Sequence, residues 1–161
     1  MSLVTDQLTK RGVPHEVISH EQAYTSMDEA LALGISADEV VKTIVLETSS
    51  GHAIAVIPGS RRLDIRAAEK AVGAKHVRLA TEEEIEKDFP GYELGAMPPL
   101  GSLHGTPTYV DSEVMRHDTV VFAAGAQTES VKVRTEDLFR NEPVTIAPLT
   151  RLSSADEGLL E

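Results

Sequence analysis

The sequence predicts an α+β fold: a single domain with a mixed, curved, mostly antiparallel sheet flanked by helices. Three observations lead to this prediction. Residues 40–47 and 52–58 are rich in β-branched and apolar side chains and are joined by a Ser-Ser-Gly turn, which is typical of a hairpin. Helical segments interrupt the strands at irregular intervals, unlike the regular alternation of a doubly wound sheet. The length of 161 residues suits one hydrophobic core.

Short elements are predicted before this hairpin. Residues 3–11 have the apolar spacing of an amphipathic helix and are followed by Gly12, and residues 15–19 have the composition of a strand. Two Ser-x-x-Glu pairs have the spacing of a capping box, and each predicts the start of a helical segment. They are Ser26 with Glu29, which opens a helix ending at Gly34, and Ser36 with Glu39.

After the hairpin, a helix is predicted at 63–72 and a short strand at 75–79. Thr81 and Glu84 again have capping-box spacing, which predicts an acidic helix that runs to Phe89. The remaining predicted elements are strands at 107–111, 119–123, 129–133 and 144–147 and a helix at 135–140. We expect residues 1–150 to form the domain and residues 151–161 to be a polar C-terminal tail.

Composition excludes several classes of protein. The chain has no cysteine, which rules out disulfides, cysteine-ligated metals and a cysteine nucleophile and leads us to expect a cytoplasmic location. No apolar run approaches the roughly 20 residues that span a bilayer, and no signal-peptide pattern is present at the start, so no membrane association is expected. The net charge of −11 argues against a dedicated nucleic-acid binder, because an acidic surface repels phosphate.

The charge is nevertheless distributed unevenly along the chain. A basic stretch over 61–78 is followed at once by an acidic stretch over 82–88. One interpretation is two solvated helix faces of opposite sign. The other is a local basic patch that binds a polyanion, led by Arg61, Arg62 and Arg66.

Two features of the sequence could support chemistry. Lys42 lies within an apolar strand and shares a face with Ile44 and Leu46. Its ammonium group either extends past these neighbours to water or lies at a pocket mouth, where it would hold a phosphate or an oxyanion. The second feature is the segment Gly95–Gly101, in which glycines and a proline pair form a stiff loop. This loop either presents backbone N–H groups to a ligand or is a plain turn.

Common catalytic motifs are absent from the sequence. The six histidines include no HExxH pair, and no Asp/His spacing indicates a metal site. There is no GxSxG elbow, phosphate-binding loop or dinucleotide fingerprint. We therefore expect no metal and no cofactor.

Several segments occur in an order that is informative as a set. They are Val41-Lys42-Thr43, Leu63-Asp64, the stretch 91–101, the stretch 107–111 and Ala124-Gly125. In this order they resemble the YbaK/prolyl-tRNA-synthetase-associated domain family, whose members edit mischarged tRNA. The resemblance covers residues 3–147 and implies that the domain at 1–150 is an aminoacyl-tRNA editing domain.

The resemblance implies a hydrolase that cleaves the ester between a wrong amino acid and the 3′ end of tRNA. Lys42 matches the essential lysine that anchors the terminal adenosine or its phosphate. Gly95 and Pro99 match the loop that shapes the amino-acid pocket and contacts the ester carbonyl. Substrate groups and a positioned water carry much of the chemistry, in agreement with the missing triad. The other residues implied as substrate contacts are His20, Thr43, Ala96, Met97, Pro98, Gly101, Gly125 and Ser130.

The sequence departs from the family where the amino acid is selected. The branch that clears cysteinyl-tRNA has an aspartate where this chain has Ser130 and an aromatic residue where it has His20. The branch that clears alanyl-tRNA has asparagine at the position of Thr43. The amino acid is therefore not determined by the sequence. At Gly95 we expect a side chain to block the pocket, so that substitution costs activity rather than stability.

Three functions are open at this point. The first is a free-standing aminoacyl-tRNA deacylase, which the intact Lys42 and Gly95 favour. The second is a non-catalytic tRNA-end-binding or synthetase accessory module, which the acidic surface favours. The third is a small-molecule esterase. The expected partners are the tRNA acceptor end, which would contact Arg61, Arg62 and Arg66, and an aminoacyl-tRNA synthetase such as prolyl-tRNA synthetase.

Overall fold

The computed structural model describes residues 3–93 and 95–152. Its helices are α1 (Leu3–Lys10), α2 (Ser26–Leu33), α3 (Ile65–Val72), α4 (Glu82–Asp88) and α5 (Thr135–Phe139), with 3-10 turns at Gly101–His104 and Val114–Arg116. Its strands are β1 (His15–Ser19), β2 (Val41–Thr48), β3 (Gly51–Pro58), β4 (Arg61–Leu63), β5 (Arg78–Leu79), β6 (Thr108–Asp111), β7 (Thr119–Ala123), β8 (Glu129–Arg134), β9 (Val144–Ala147) and β10 (Thr150–Leu152).

Strand pairing confirms the predicted α+β class. A five-stranded sheet has the order β5-β2-β3-β6-β9, a three-stranded sheet the order β1-β8-β7, and β4 pairs with β10. The pairs β3–β6 and β6–β9 are parallel, and the other pairs among the described strands are antiparallel. The predicted hairpin is present as β2–β3.

The five-stranded sheet is packed on both faces because the side chains of β3 alternate. Ala53, Ala55 and Ile57 lie on the face covered by α3. Ile54 packs with Phe89 and Met97, beside α4 and the segment that follows it. Val56 belongs to the largest core cluster, which also contains residues of the three-stranded sheet. The sheet is therefore the central layer of the molecule.

Helix starts follow local capping, with one correction. Thr81 and Glu84 form the predicted capping box at the start of α4. For α2 the N-cap is Thr25, whose hydroxyl accepts a hydrogen bond from the Asp28 N–H, and not the predicted pairing of Ser26 with Glu29. Glu29 is instead buried. The predicted helical turn after Ser36 is a simple turn, because residues 37–39 lead directly into the strand.

Two short strands were not predicted. Arg61 and Arg62 belong to β4, so α3 begins later than predicted, with Asp64 as its N-cap. β4 pairs with β10, which includes Arg151 and therefore extends the folded chain into the predicted tail. Residues 153–161 of that tail lie outside the described residues.

The helices in the described part of the chain include no candidate membrane span. None of its helices has the length and apolar character needed to cross a bilayer.

Candidate active site

A cavity of about 830 Å³ opens beside a gap in the edge of β2. β7 bridges this edge at Val40, and β5 pairs only with Leu46 and Glu47. Thr43, Ile44 and Val45 lie between these points and line the cavity. Its volume is within the range of small-molecule sites. Its other walls come from β5, α4 and the segment after α4, through Leu79, Ala80, Glu82, Ile85, Glu86, Pro90, Gly91, Tyr92, Glu93, Gly95 and Met97.

Thr43 contributes the polar group on the floor of this cavity. Its side chain points to the same sheet face as that of Val45, because the two residues are two apart on β2. The Thr43 hydroxyl oxygen is buried and has no hydrogen-bond partner among the described residues. A buried hydroxyl without a partner is destabilising.

Gly95 lies at the cavity with its backbone in the left-handed region, at φ 78°. A Cβ at this position would lie 2.5 Å from the carbonyl oxygen of Tyr24. Gly95 is thus required by the fold itself, because both its φ angle and the approach of Tyr24 exclude a side chain. This contradicts the expectation that substitution at Gly95 spares stability.

Ala96 and Gly125 hold this segment in place. The Gly125 N–H donates to the Ala96 carbonyl at 3.0 Å, and the Glu93 N–H donates to the Gly125 carbonyl at 2.9 Å. Gly125 has φ 89°, and a Cβ there would meet the Tyr92 ring at 3.2 Å. Of the predicted substrate contacts in this region, Met97 lines the cavity, whereas Ala96 and Gly125 support it.

The rest of the predicted loop lies beneath the cavity. Pro98 and Pro99 are buried and are not among the cavity-lining residues. A Cβ on Gly101 would lie 2.1 Å from the Thr108 hydroxyl oxygen, so close packing against β6 explains this glycine. The prolines therefore set the path of the chain behind the cavity.

Tyr92 forms a neutral polar pair at the cavity wall. Its hydroxyl lies 2.7 Å from Nε2 of His104, and the two rings meet edge to face. Burial raises the pKa of the Tyr92 hydroxyl and lowers the pKa of the His104 imidazole. Both shifts favour the neutral forms, so this pair supplies hydrogen bonds rather than a charge.

Lys42 does not line this cavity. Its side chain is on the other face of β2 with Ile44 and Leu46, as the sequence predicted, and it is half-buried there. Burial lowers the pKa of the Lys42 ammonium group, and the positive charge of Arg62 lowers it further. Lys42, which the sequence placed in one site with Gly95, is therefore not part of the wall of the cavity that Gly95 lines.

The predicted basic patch gathers next to Lys42. Arg61 and Arg62 are on β4, which begins just after the end of β3 that pairs with the start of β2. Arg151 of β10 lies opposite Arg62 in the β4–β10 pair and adds a cation that the sequence did not assign. Arg66 is exposed in the first turn of α3. These cations come from three separate segments, and the charge of Arg62 acts directly on Lys42.

His20 and Ser130 form a separate buried network. The Ser130 hydroxyl is fully buried, donates to a Glu29 carboxylate oxygen and lies 2.7 Å from Nε2 of His20. Burial raises the pKa of Glu29, against the opposing effects of the Ser130 hydrogen bond and the His20 charge. Neither His20 nor Ser130 lines the cavity. Glu29 was missed as a partner because its spacing from Ser26 matched a helix cap.

The sequence also missed most of the cavity wall. Glu82 and Glu86 of α4, with Ile85 between them, and Glu93 after the helix place carboxylates around an otherwise largely apolar cavity. The alternation of Ile85 with acidic residues was a signal that one side of this helix faces protein. Which surface this side of α4 covers depends on the segments that pack against the helix, and these are not visible in its own sequence.

Comparisons with known proteins identify the family of this chain. A sequence model of the aminoacyl-tRNA editing domain matches residues 20–140. An Enterococcus faecalis protein named as a candidate Cys-tRNA(Pro)/Cys-tRNA(Cys) deacylase is 28% identical over 123 residues, which is 76% of this chain and 74% of that protein. A proline--tRNA ligase of Nitratidesulfovibrio vulgaris is 28% identical over 136 residues, which is 83% of this chain and only 23% of the ligase.

Solved structures give the same result. The crystal structure of a proposed trans-editing enzyme for prolyl-tRNA synthetase superimposes with a TM-score of 0.80 at 26% identity, covering 92% of this chain and 94% of that one. A protein of unassigned function superimposes with a TM-score of 0.84 at 25% identity, covering 92% and 99%. The matched family region contains the gap in β2, α4 and the Gly95 segment. The chain belongs to the aminoacyl-tRNA editing domain family, as its sequence motifs indicated.

Proposed function

We propose that this protein is an aminoacyl-tRNA deacylase that acts in trans on mischarged tRNA. The observation that carries the proposal is a cavity lined by Thr43, Gly95 and Met97, with the buried Thr43 hydroxyl left without a hydrogen-bond partner, in a chain of the editing family. A hydroxyl in this position can donate to the ester carbonyl or accept from the α-ammonium group of the aminoacyl ester.

The reaction needs little side-chain chemistry. Water attacks the ester carbonyl carbon, the bond to the ribose oxygen breaks, and that oxygen takes a proton as the amino acid leaves. An activated ester requires positioning and stabilisation of the developing oxyanion, which hydrogen-bond donors supply without a nucleophilic triad. Thr43 would be one such donor, and the Gly95 segment would confine the ester against it.

The acidic residues around the cavity fit the charge of the substrate. An aminoacyl ester carries an α-ammonium group, and Glu82, Glu86 and Glu93 provide a negative environment for it. The apolar wall formed by Val45, Ile85 and Met97 would receive the amino-acid side chain. The size of Met97 would then contribute to selection, since one methylene in such a pocket is worth about 1–3 kcal/mol.

Lys42 would bind a phosphate of the tRNA end from a position outside the cavity wall. The tRNA end would cross the gap in β2, with the ester on the Thr43 side and a phosphate on the side of Lys42 and Arg62. A phosphate there would offset the burial and repulsion that lower the pKa of Lys42. We expect Lys42→Ala to reduce deacylation by at least ~100-fold with little change in folding.

The decisive experiment is a deacylation screen of the purified protein against a panel of mischarged tRNAs. Wild type is compared with Thr43→Val, and with Thr145→Val as a matched control on an exposed strand position of β9. We expect one or a few esters to be cleaved, with loss of activity in Thr43→Val alone. Equal activity of the two variants would contradict the assigned site.

A non-catalytic binding module is the second candidate. It is favoured by the position of Lys42, which is outside the cavity and thus remote from the ester. On this alternative the protein would bind the acceptor end of aminoacylated tRNA without turnover. Binding measured by fluorescence anisotropy, with no cleavage of any ester in the panel, would support it over the deacylase.

The protein is expected to find tRNA with help from a partner. A net charge of −11 weakens attraction to the phosphate backbone, so we expect weak direct binding and recruitment through a synthetase. Prolyl-tRNA synthetase is the first to test, because relatives of this chain occur within proline--tRNA ligases. Arg61→Glu with Arg62→Glu should reduce tRNA affinity and the slope of log K against log salt. Tight wild-type binding with a steep slope would argue against recruitment.

A further inference from the structure

A histidine and two carboxylates converge at the end of the hairpin, next to the cavity wall but not lining it. Glu47 and His52 face each other across the β2–β3 pair, and Asp88 is the last residue of α4. His52 Nδ1 lies 2.7 Å from a Glu47 carboxylate oxygen, and Nε2 lies 3.0 Å from a carboxylate oxygen of Asp88. One donor atom from each residue can be chosen so that all three lie within 4.8 Å of one another.

The hydrogen bonding of His52 is incomplete. A neutral imidazole has one N–H donor and one acceptor nitrogen, so it can donate to only one of two carboxylates. The Nδ1 atom is buried and makes no hydrogen bond of acceptable geometry in the described structure, despite its short distance to Glu47. With a neutral imidazole, one nitrogen lone pair would lie against a carboxylate oxygen, and a cation bound by both atoms would relieve this arrangement.

The end of α4 adds to the negative charge at this point. Asp88 ends α4, where the helix dipole disfavours a carboxylate and favours a cation. The guanidinium group of Arg78, opposite Glu47 in the β2–β5 pair, is hydrogen-bonded to Glu84 at 2.7 and 2.8 Å and also attracts the Glu47 carboxylate. The Phe89 ring packs edge-on against the His52 ring at 5.2 Å between centroids, which fixes the orientation of the imidazole.

We propose that Glu47, His52 and Asp88 bind a divalent transition-metal ion, with Zn²⁺ as the best match. Imidazole nitrogen and carboxylate oxygen are both zinc ligands at about 2.0–2.2 Å, and three protein ligands with water in the fourth position make a complete tetrahedron. The carboxylates of Glu47 and Asp88 are partly exposed and can rotate to this distance. The ion would join the end of α4 to the hairpin and so brace the wall of the neighbouring cavity.

The histidine spacing along the chain gave no indication of this cluster. His52 and Glu47 meet because the hairpin register places them opposite each other, and Asp88 arrives from a separate helix. The proposal is independent of deacylation, since no ligand of the ion lines the cavity.

The test uses untagged, chelator-treated full-length protein and isothermal titration with ZnCl₂. We expect one equivalent to bind, with affinity reduced at least ~100-fold in His52→Ala and in Asp88→Asn. His15→Ala is the matched control, because His15 lies on β1 with its Nδ1 at the Val13 carbonyl, and should bind like wild type. Zinc should also raise the Tm of wild type but not that of Asp88→Asn, a substitution at an exposed position that keeps the shape of the side chain.

Two results would overturn the proposal. One is the absence of stoichiometric zinc binding by wild type, which would leave His52 as a histidine ion-paired to its carboxylate neighbours. The other is binding of equal affinity in wild type and in both variants, which would place the ion elsewhere. Neither result bears on the deacylase, because that function is measured on tRNA esters.

Discussion

Thr43→Val tests the effect of one atom, the Thr43 hydroxyl oxygen, on stability and on activity separately. The substitution replaces the buried, unpartnered hydroxyl by a methyl group of similar size at a strand position where Val is favoured. A buried polar group without a partner costs about 1–3 kcal/mol. The valine variant should therefore be more stable than wild type by about 1 kcal/mol. For a chain of this length that raises Tm by about 2–4 °C.

Activity should change in the opposite direction. If the hydroxyl binds the ester or the ammonium group, its loss removes a hydrogen bond worth about 1–3 kcal/mol, which corresponds to a decrease of roughly 5- to 150-fold in kcat/KM. Stability is measured by urea and thermal unfolding, and activity by single-turnover deacylation of the best ester in the panel. Thr43→Ser keeps the hydroxyl and should keep most of the activity.

The result is decisive because stability is expected to rise while activity is expected to fall. A valine variant that is less stable than wild type would show that the hydroxyl already has a partner in the folded protein. A variant that is more stable and fully active would show that the hydroxyl is not used by the substrate. Either outcome refutes the reasoning that assigns the cavity to the ester.

Three further predictions concern stability. Gly95→Ala should lower the free energy of unfolding in urea by about 2 kcal/mol or more, because it combines a positive φ with a clash on the Tyr24 carbonyl. Gly91→Ala, at φ 97° with no atom within 4 Å of the new Cβ, should lower it by only about 1 kcal/mol, and equal losses in the two variants would contradict the clash. Lys42→Met should be at least as stable as wild type at pH 7, because the lowered pKa of Lys42 means that folding disfavours the charged form. The stability advantage of the methionine variant should shrink as pH rises from the folded pKa of Lys42 through about 10.4, the unfolded value. Glu29→Gln should likewise be more stable than wild type at neutral pH, because burial raises the Glu29 pKa. This advantage should disappear as pH falls through the folded pKa of Glu29 towards about 4.3, the unfolded value. A stability difference that does not change with pH would exclude ionisation of Glu29 as the cause.

Elements with a local signal were predictable from the sequence. The hairpin follows from two β-branched runs and a turn, and the start of α4 follows from the Thr81 capping box, because both depend on residues close together in the chain. β4 and β10 were missed because each has only three residues and exists by pairing with the other across a long stretch of chain. The N-cap of α2 was misassigned because Thr25 and Ser26 both have hydroxyls, and backbone geometry decides between them.

The candidate site was predictable as a set of motifs but not as an arrangement. The motifs identified the family, and Thr43, Gly95 and Met97 do meet at one cavity. Alternation along β2 also placed Lys42 and Thr43 on opposite faces before the structure was known. It could not tell which residues of β2 the Gly95 segment meets, so the sequence did not show that Lys42 is outside the cavity wall; its role in binding the tRNA end stays a prediction.

The sequence by itself determined the α+β class, the central hairpin, the editing family and the exclusion of cysteine chemistry, because periodicity, capping, motif order and composition are all properties of the chain as written. Only the tertiary structure decided that the cavity opens at the gap in β2, that Glu29 is the partner of Ser130 and that Glu47, His52 and Asp88 converge. These contacts join residues that are distant in the chain or brought together by strand register. Packing of one element on another sets them, and no local pattern encodes which surfaces will meet.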